Sequence, residues 1–163
     1  MCGLTGSFEF EPATPPETLH RQIRAMAERL RHRGPDSDGQ WIDASAGIAL
    51  GFRRLAIIDL SPAGSQPMTS NGGRFVIAYN GEVYNFPELR RDLLARGHKF
   101  DGHSDTEVIL ASIVEWGVAQ AVGRFVGMFA IALWDKVDRS LYLIRDRLGI
   151  KPLYHGQFGR HLV

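Results

Sequence analysis

Met128-Phe129-Ala130-Ile131-Ala132-Leu133-Trp134, a polar turn from Asp135 to Arg139, and then Leu141-Tyr142-Leu143-Ile144 form the stretch on which the fold class turns. Two short apolar runs on either side of a polar turn read as consecutive strands. Upstream, Phe75-Val76-Ile77-Ala78-Tyr79 is another short apolar strand, and it runs straight into Asn80-Gly81-Glu82. Gln40-Trp41-Ile42, Gly47 to Gly51 and Arg54-Leu55-Ala56-Ile57-Ile58 are strand-like, and Gly3 to Phe10 ends in a loose alternation, Phe8-Glu9-Phe10. Strands come in runs and helices come in runs, with no regular βαβ alternation. That pattern predicts an α+β domain with mostly antiparallel sheet.

The helices are marked by their ends. Thr14-Pro15-Pro16-Glu17 reads as a start, with Thr14 as N-cap, Pro15 at the first helical position and Glu17 closing a capping box. Leu19, Ile23, Met26 and Leu30 then recur at helical spacing, and Arg33-Gly34-Pro35 stops the helix. Asn85 caps a second helix whose Leu89, Leu93 and Leu94 are expected to face inward and which ends at Gly97. Ser104-Asp105-Thr106-Glu107 is a second capping box, opening a helix to Trp116 before Gly117. Asp59 to Gly73 is rich in turn residues, and Asp146 to Pro152 is a charged turn leading to Leu153-Tyr154. No internal repeat, low-complexity segment or linker divides the chain.

Composition narrows the class. With 163 residues, 44% hydrophobic and 23% charged, the chain is an ordinary single globular domain. A formal charge of +1 gives no bulk attraction for nucleic acid or an anionic membrane. The single cysteine cannot close an internal disulfide, which suits a reducing compartment. The N-terminus lacks a basic region followed by an apolar core, and no apolar run is long enough to span a bilayer. Cytoplasm is the default location.

That one cysteine stands directly behind the initiator, in Met1-Cys2-Gly3. Once Met1 is removed, Cys2 carries a thiol and a free α-amine on the same carbon. Free α-amino groups titrate near ~7.7–8.0, so the amine can take the thiol's proton directly or through one water. Such a nucleophile needs no partner histidine. Alone, a cysteine at position 2 carries little meaning.

Other stretches add to it. Asn80-Gly81 reads either as a tight turn or as an oxyanion hole, in which the Asn amide and the Gly N–H face a developing negative oxygen. Arg54, Glu82 and Asp105 lie beside apolar strands or at a helix start. An amino-acid substrate has one carboxylate, which suits the arginine, and one ammonium, which suits the acids. Taken alone, each is better explained as a surface charge.

Several sites are set aside. Asp36-Ser37-Asp38-Gly39 lacks the remaining ligands of a calcium loop. His98, Asp101, His103 and Asp105 fit no zinc spacing, and a polar loop with a helix cap accounts for them. Arg29, Arg31, His32 and Arg33 are explained by a helix C-terminus. Neither phosphate-binding glycine loop is present.

Taken together, Met1-Cys2-Gly3, Arg31-His32-Arg33-Gly34-Pro35-Asp36, Arg53 to Gly64, Asn80-Gly81-Glu82-Val83-Tyr84-Asn85, Ser104-Asp105-Thr106-Glu107 and Arg145 to Tyr154 are similar, in order, to motifs of one family. The chain resembles the class II glutamine amidotransferase domain, an N-terminal-nucleophile hydrolase, and specifically that of glutamine-dependent asparagine synthetases. The likeness covers essentially the whole chain. Relatives that aminate sugar phosphates or phosphoribosyl pyrophosphate share the nucleophile but match the 80–85 and 146–154 stretches less well.

The resemblance implies an αββα sandwich of two mostly antiparallel sheets. It implies that Cys2 attacks the carboxamide of L-glutamine, forming a glutamyl thioester and releasing ammonia, and that water then releases glutamate. Asn80 and Gly81 would form the oxyanion hole. Arg54 would hold the substrate carboxylate, Glu82 and Asp105 the α-ammonium region, and the backbone near Leu55, Ile57 and Ile58 would frame the pocket. No cofactor or metal is expected in this chain. ATP and magnesium belong to the synthetase domain that the family joins in cis, which adenylates aspartate and receives the ammonia.

Residues 1–163 are therefore expected to be a glutaminase domain that stops at His161-Leu162-Val163, in a strand, before the family's domain is complete. The synthetase domain is absent from the chain, and a homodimer stays open. Three other readings are carried forward: a glutamine-fold module that binds a partner without turnover, an amidotransferase domain serving another acceptor, and a metal-dependent hydrolase using the His98 to Asp105 loop.

Overall fold

The structure, a computed structural model, describes residues 2–57 and 59–163. Two antiparallel sheets lie face to face with helices on both outer surfaces. The first sheet contains β1 (Gly3–Glu9), β2 (Ser37–Asp43), β3 (Ile48–Arg54), β8 (Gln157–Phe158) and β9 (His161–Leu162), in the order β2-β3-β1-β9-β8. The second contains β4 (Met68–Thr69), β5 (Phe75–Val83), β6 (Gly127–Asp135) and β7 (Ser140–Arg145), in that order. Helix α1 (Pro16–Arg29) covers the first sheet. Helices α2 (Phe86–Ala95), α3 (Asp105–Trp116) and α4 (Val118–Arg124) gather on the second. This is the expected αββα, α+β arrangement.

Alternation along the strands builds the layers. On β5, Phe75, Ile77, Tyr79 and Val83 enter the core shared with Leu93, Ile109 and Ile113 of the helices. Val76, on the opposite face, packs with Ile48, Leu50, Ala132 and Trp134 between the sheets. Asn80 and Glu82 share the parity of Val76, so they belong to the inter-sheet side. Leu19, Ile23 and Ala27 are the buried stripe of α1. Ile23 lies so close to β3 that a side chain on Gly51 would stand 3.0 Å from its Cγ1.

Several local expectations are corrected. The helix start at Thr14 is displaced: α1 is capped at Pro15 without a side-chain bond, because the Thr14 hydroxyl donates to buried Glu9 instead. Asn85 stands at the N-cap of α2, but its amide bridges Arg124 O (3.0 Å) and Val126 N (2.9 Å). Leu94 is exposed, since the stripe of α2 is narrow and carried by Leu89 and Leu93. Ser104 caps α3 through the N–H of Glu107, whereas the Glu107 carboxylate takes the N–H groups of Asp101 and Gly102 rather than closing the box. Helix α4 was not foreseen in the sequence. The terminal strand β9 pairs with both β1 and β8, so the sheet edge falls on β8.

The charged turn after β7 is organised by Asp146. Its Oδ1 accepts the N–H groups of Leu148 and Ile150, and its Oδ2 those of Phe129 and Lys151, at 2.9–3.2 Å. Burial pushes the Asp146 carboxyl up, but these four N–H donors outweigh it and hold the group below its ordinary range. No helix among the described residues is long and apolar enough to cross a membrane.

Candidate active site

Cys2 is placed by three neighbours. Gly3 pairs with Arg53 at the start of β1, which brings Cys2 beside the end of β3. The Leu55 N–H points at Sγ from 3.4 Å, and Sγ in turn lies 3.5 Å from Leu55 O. Arg33 Nε donates to the Cys2 carbonyl at 3.3 Å.

The Arg31-to-Asp36 stretch packs directly on this corner. A side chain on Gly34 would stand 2.6 Å from Arg54 N, and Asp36 Oδ2 accepts the Ala56 N–H at 2.8 Å. Glycine is required at 34 because backbone meets backbone there. These contacts also explain why the strand expected over Arg54 to Ile58 is not formed at Leu55 to Ile57; Ile58 lies outside the described residues. β3 ends at Arg54, and the chain bends away to wrap the sulfur.

Asn80-Gly81-Glu82 is likewise not a turn after the strand. β5 continues through it to Val83, paired with β6 down to Gly127. The tight-turn alternative is excluded.

The N–H groups of Phe75, Tyr79 and Val83 leave the β6 side and reach Ser70 Oγ, Gln66 Oε1 and Asp105 Oδ2. By antiparallel alternation the Gly81 N–H lies on that same edge. β4 stops opposite Ile77, so no strand covers it. A side chain at Gly81 would meet Met128 O and stand 2.7 Å from Phe129 Cα, so only glycine fits against β6. Asn80 is buried, and its side-chain amide has no partner among the described residues. An exposed backbone N–H and an adjacent free amide form a donor pair able to face an oxyanion.

Two cavities meet at Cys2 and Asn80. A cavity of about 100 Å³ is lined by Arg54, Leu55, Ile57, Gly81, Glu82 and Asp105 as well as Cys2 and Asn80. Every expected site residue is brought to it except Ile58, which lies outside the described residues. Ile57 borders the cavity, although its side chain is largely exposed. A larger cavity of about 460 Å³ extends on the other side between the sheets, bounded by Phe8, Leu141, Leu143, Leu153 and Val163. Arg33 borders the larger cavity with no Asp or Glu side chain beside it, whereas the small cavity combines Arg54 with Asp59, Glu82 and Asp105, and it is therefore the one suited to a zwitterion.

Charge is separated within that cavity. Arg54 is buried, with Nη1 donating to Ser61 O at 2.9 Å and Nη2 to Asp59 O. The Asp59 carboxylate fixes this loop by accepting the His103 N–H (2.9 Å) and the Ser61 N–H (2.8 Å), which hold its carboxyl down at about 2.

On the other side stand Glu82 and Asp105. Burial pushes the Asp105 carboxyl up, and the nearby Glu82 charge adds to this. The Tyr79 hydroxyl and Val83 N–H oppose it. Two carboxylates in a partly buried place attract a cation.

The sequence reading did not single out Gln66, Tyr79, Ser104 and Thr106, which also line the small cavity. Gln66 Oε1 accepts the Tyr79 N–H at 2.6 Å and its Nε2 donates to Thr106 Oγ1 at 3.3 Å, tying β5 to α3. No sequence pattern marks a side chain whose role is to replace a missing strand. Among the described residues, no group of three His, Cys, Asp or Glu could hold a metal. His98 pairs with Glu115 (2.9 Å), and Asp105 accepts from Tyr79 and Val83.

Comparison with known proteins follows the same lines. The Bacillus subtilis (strain 168) glutamine-hydrolysing asparagine synthetase 1 is 43% identical over 155 residues, covering 95% of this chain and 24% of that protein. Asparagine synthetase 3 of the same organism is 40% identical over 161 residues, covering 98% and 25%. The amidase chry2 of Gibberella zeae is 35% identical over 162 residues, covering 95% and 24%. The chain thus spans about a quarter of the length of these relatives.

Among solved structures, the glutamine phosphoribosylpyrophosphate amidotransferase of B. subtilis superposes with a TM-score of 0.77 at 20% identity, over 98% of this chain and 40% of that one. At that identity the likeness establishes the fold. The family model for the glutamine amidotransferase domain matches residues 1–163. The chain belongs to the glutamine amidotransferase domain family.

Proposed function

We propose that this domain hydrolyses L-glutamine through Cys2. The observation that carries the reading is the meeting of Cys2 with a cavity lined by the Arg54 guanidinium, beside which Asp59 is held by its own loop, and by two further carboxylates, Glu82 and Asp105. Glutamine is a zwitterion with a carboxamide at its far end, and this cavity offers a counterpart to each part.

In the proposed reaction the Cys2 α-amine, free once Met1 has gone, takes the thiol proton. Sulfur bonds to the carboxamide carbon, and the negative oxygen of the tetrahedral intermediate is held by the Asn80 amide and Gly81 N–H. The C–N bond breaks as the amine returns its proton to the departing nitrogen, releasing ammonia and leaving a thioester. Water, deprotonated by the same amine, adds to the thioester. The C–S bond breaks, glutamate leaves and the thiol is restored. Arg54 holds the substrate carboxylate, Glu82 and Asp105 its ammonium, and the backbone at Leu55 to Ile57 frames the sulfur.

The relatives named as asparagine synthetases support asparagine formation as the destination of the ammonia. That step requires ATP and magnesium on a synthetase domain joined to this one. The relative named as an amidase supports a second reading, in which the same glutaminase serves another acceptor. The test is ammonia release from glutamine by the Met1-free chain. The expected result is turnover in the parent and none in Cys2→Ala, while equal rates would refute the mechanism. If an intact-mass measurement shows Met1 retained and turnover is absent, the non-catalytic module is the correct reading.

A further inference from the structure

Both hydrogen bonds that reach Asp105 from β5 land on the same oxygen. The Tyr79 hydroxyl donates to Oδ2 at 2.6 Å, and the Val83 N–H donates to Oδ2 at 3.1 Å. Oδ1 receives no hydrogen bond from another described residue, and Asp105 lines the small cavity. Tyr79 comes from the helix-facing side of β5 and is 3% exposed, and Asp105, the first residue of α3, is 5% exposed. Asp105 is thus approached from the core by a phenol, while its second oxygen is left for whatever enters.

The location makes this contact consequential. α3 begins after the loop 96–104, and its first turn is tied to β5 by Asp105, which accepts from Tyr79 and Val83, and through Gln66, which bonds both Thr106 and the Tyr79 N–H. A buried carboxylate beside Glu82 favours its neutral form unless donors stabilise the charge. A neutral Asp105 could not serve as a counter-ion. The phenol gives it a short charge-assisted bond, and such bonds are the stronger kind.

We propose that Tyr79 is a positioning residue for substrate selection: through its bond to Asp105 Oδ2 it holds that carboxylate charged and directs Oδ1 to the α-ammonium of glutamine. The Tyr79 hydroxyl is given to Asp105 and not to the Cys2 sulfur, so its effect falls on recognition and leaves the acyl-transfer chemistry alone. The proposal rests on the reading of Asp105 as part of the ammonium site.

The experiment compares two amides, L-glutamine and 4-carbamoylbutanoate, which lacks only the α-amino group. Both are assayed for ammonia release by the parent and by Tyr79→Phe, with thermal melting as a check on folding. The expected result is a parent that prefers glutamine strongly. In Tyr79→Phe, KM for glutamine rises about tenfold, kcat stays within about twofold, and kcat/KM for 4-carbamoylbutanoate is unchanged. Equal losses on both amides would overturn the proposal, since they would mark a structural role, and so would no loss on either. A parent that does not prefer glutamine would instead overturn the ammonium site itself.

If Tyr79→Phe does not fold, the pair Tyr79→Phe with Asp105→Asn removes the buried charge, and it is compared with Asp105→Asn alone. Identical kinetics support action through Asp105, whereas a further tenfold loss contradicts it.

Discussion

The sulfur of Cys2 rests in the backbone of Leu55, 3.4 Å from its nitrogen and 3.5 Å from its oxygen, across 53 positions of sequence. The contact joins the start of the first strand to the end of the third. It places the sulfur where β3 gives way to the loop carrying Asp59 and Ser61, the residues that hold Arg54. The proposed nucleophile and the proposed carboxylate clamp are therefore set by one backbone bend. Disturbing that bend should affect binding and chemistry together.

Asn80 offers the cleanest separation of chemistry from binding. Its amide has no partner among the described residues and adjoins the uncovered N–H of Gly81. Asn80→Ala should lower kcat about 10²–10³-fold while KM for glutamine changes little. Steady-state ammonia release checks this. A rise in KM at unchanged kcat would place the Asn80 amide in ground-state binding.

Arg54 makes the opposite prediction. Its fork is held by the carbonyls of Asp59 and Ser61, and lysine cannot reproduce a planar two-sided grip. Arg54→Lys should raise KM for glutamine roughly 10–100-fold, the scale of a lost bidentate contact of about 1.5–3 kcal/mol. The alkylation rate of Cys2 by a small non-amino-acid electrophile should stay near that of the parent.

Acid sensitivity should trace to Glu9. Burial raises its carboxyl, but the Thr14 hydroxyl and the N–H groups of Ala13 and Thr14 more than offset this, with His161 adding. The net is a fall from an ordinary 4.5 to about 2. Because the folded value is depressed, Glu9 contributes stability above about pH 4.5, and that stability is lost as pH falls toward about 2. Glu9→Gln should flatten the pH dependence of the denaturation midpoint across that interval and lower the midpoint at neutral pH.

Asp146 should matter for the fold more than for the reaction. Four N–H groups converge on its carboxylate. Asp146→Ala leaves them without their acceptor, and each buried one costs about 1–3 kcal/mol. A loss above about 3 kcal/mol in chemical denaturation is expected, and Asp146→Asn should recover part of it.

Strong local patterns were readable in the sequence. The strands Phe75 to Tyr79, Met128 to Trp134 and Leu141 to Ile144, and the helix after Ser104, needed only periodicity and caps. The ordered motifs then implied the layer order and pointed to residues that the structure gathers at the small cavity. Where the reading failed, tertiary contacts decided. Arg54 to Ile58 has strand composition, but the chain bends at Leu55 to Ile57 to receive the Cys2 sulfur. Asn80-Gly81 has turn composition but is held extended by pairing with β6. Thr14 has capping chemistry but serves Glu9. Tyr79 and Gln66 read as strand and loop residues because their partners lie 26 and 40 positions away.

The most direct test is intact-mass spectrometry of the chain before and after treatment with 6-diazo-5-oxo-L-norleucine, a glutamine-shaped alkylating agent. The account predicts a chain that has lost Met1, gains one adduct located at Cys2, and stops releasing ammonia as the adduct forms. Glutamine hydrolysis by a chain that retains Met1, or full activity after Cys2 is alkylated, would contradict it.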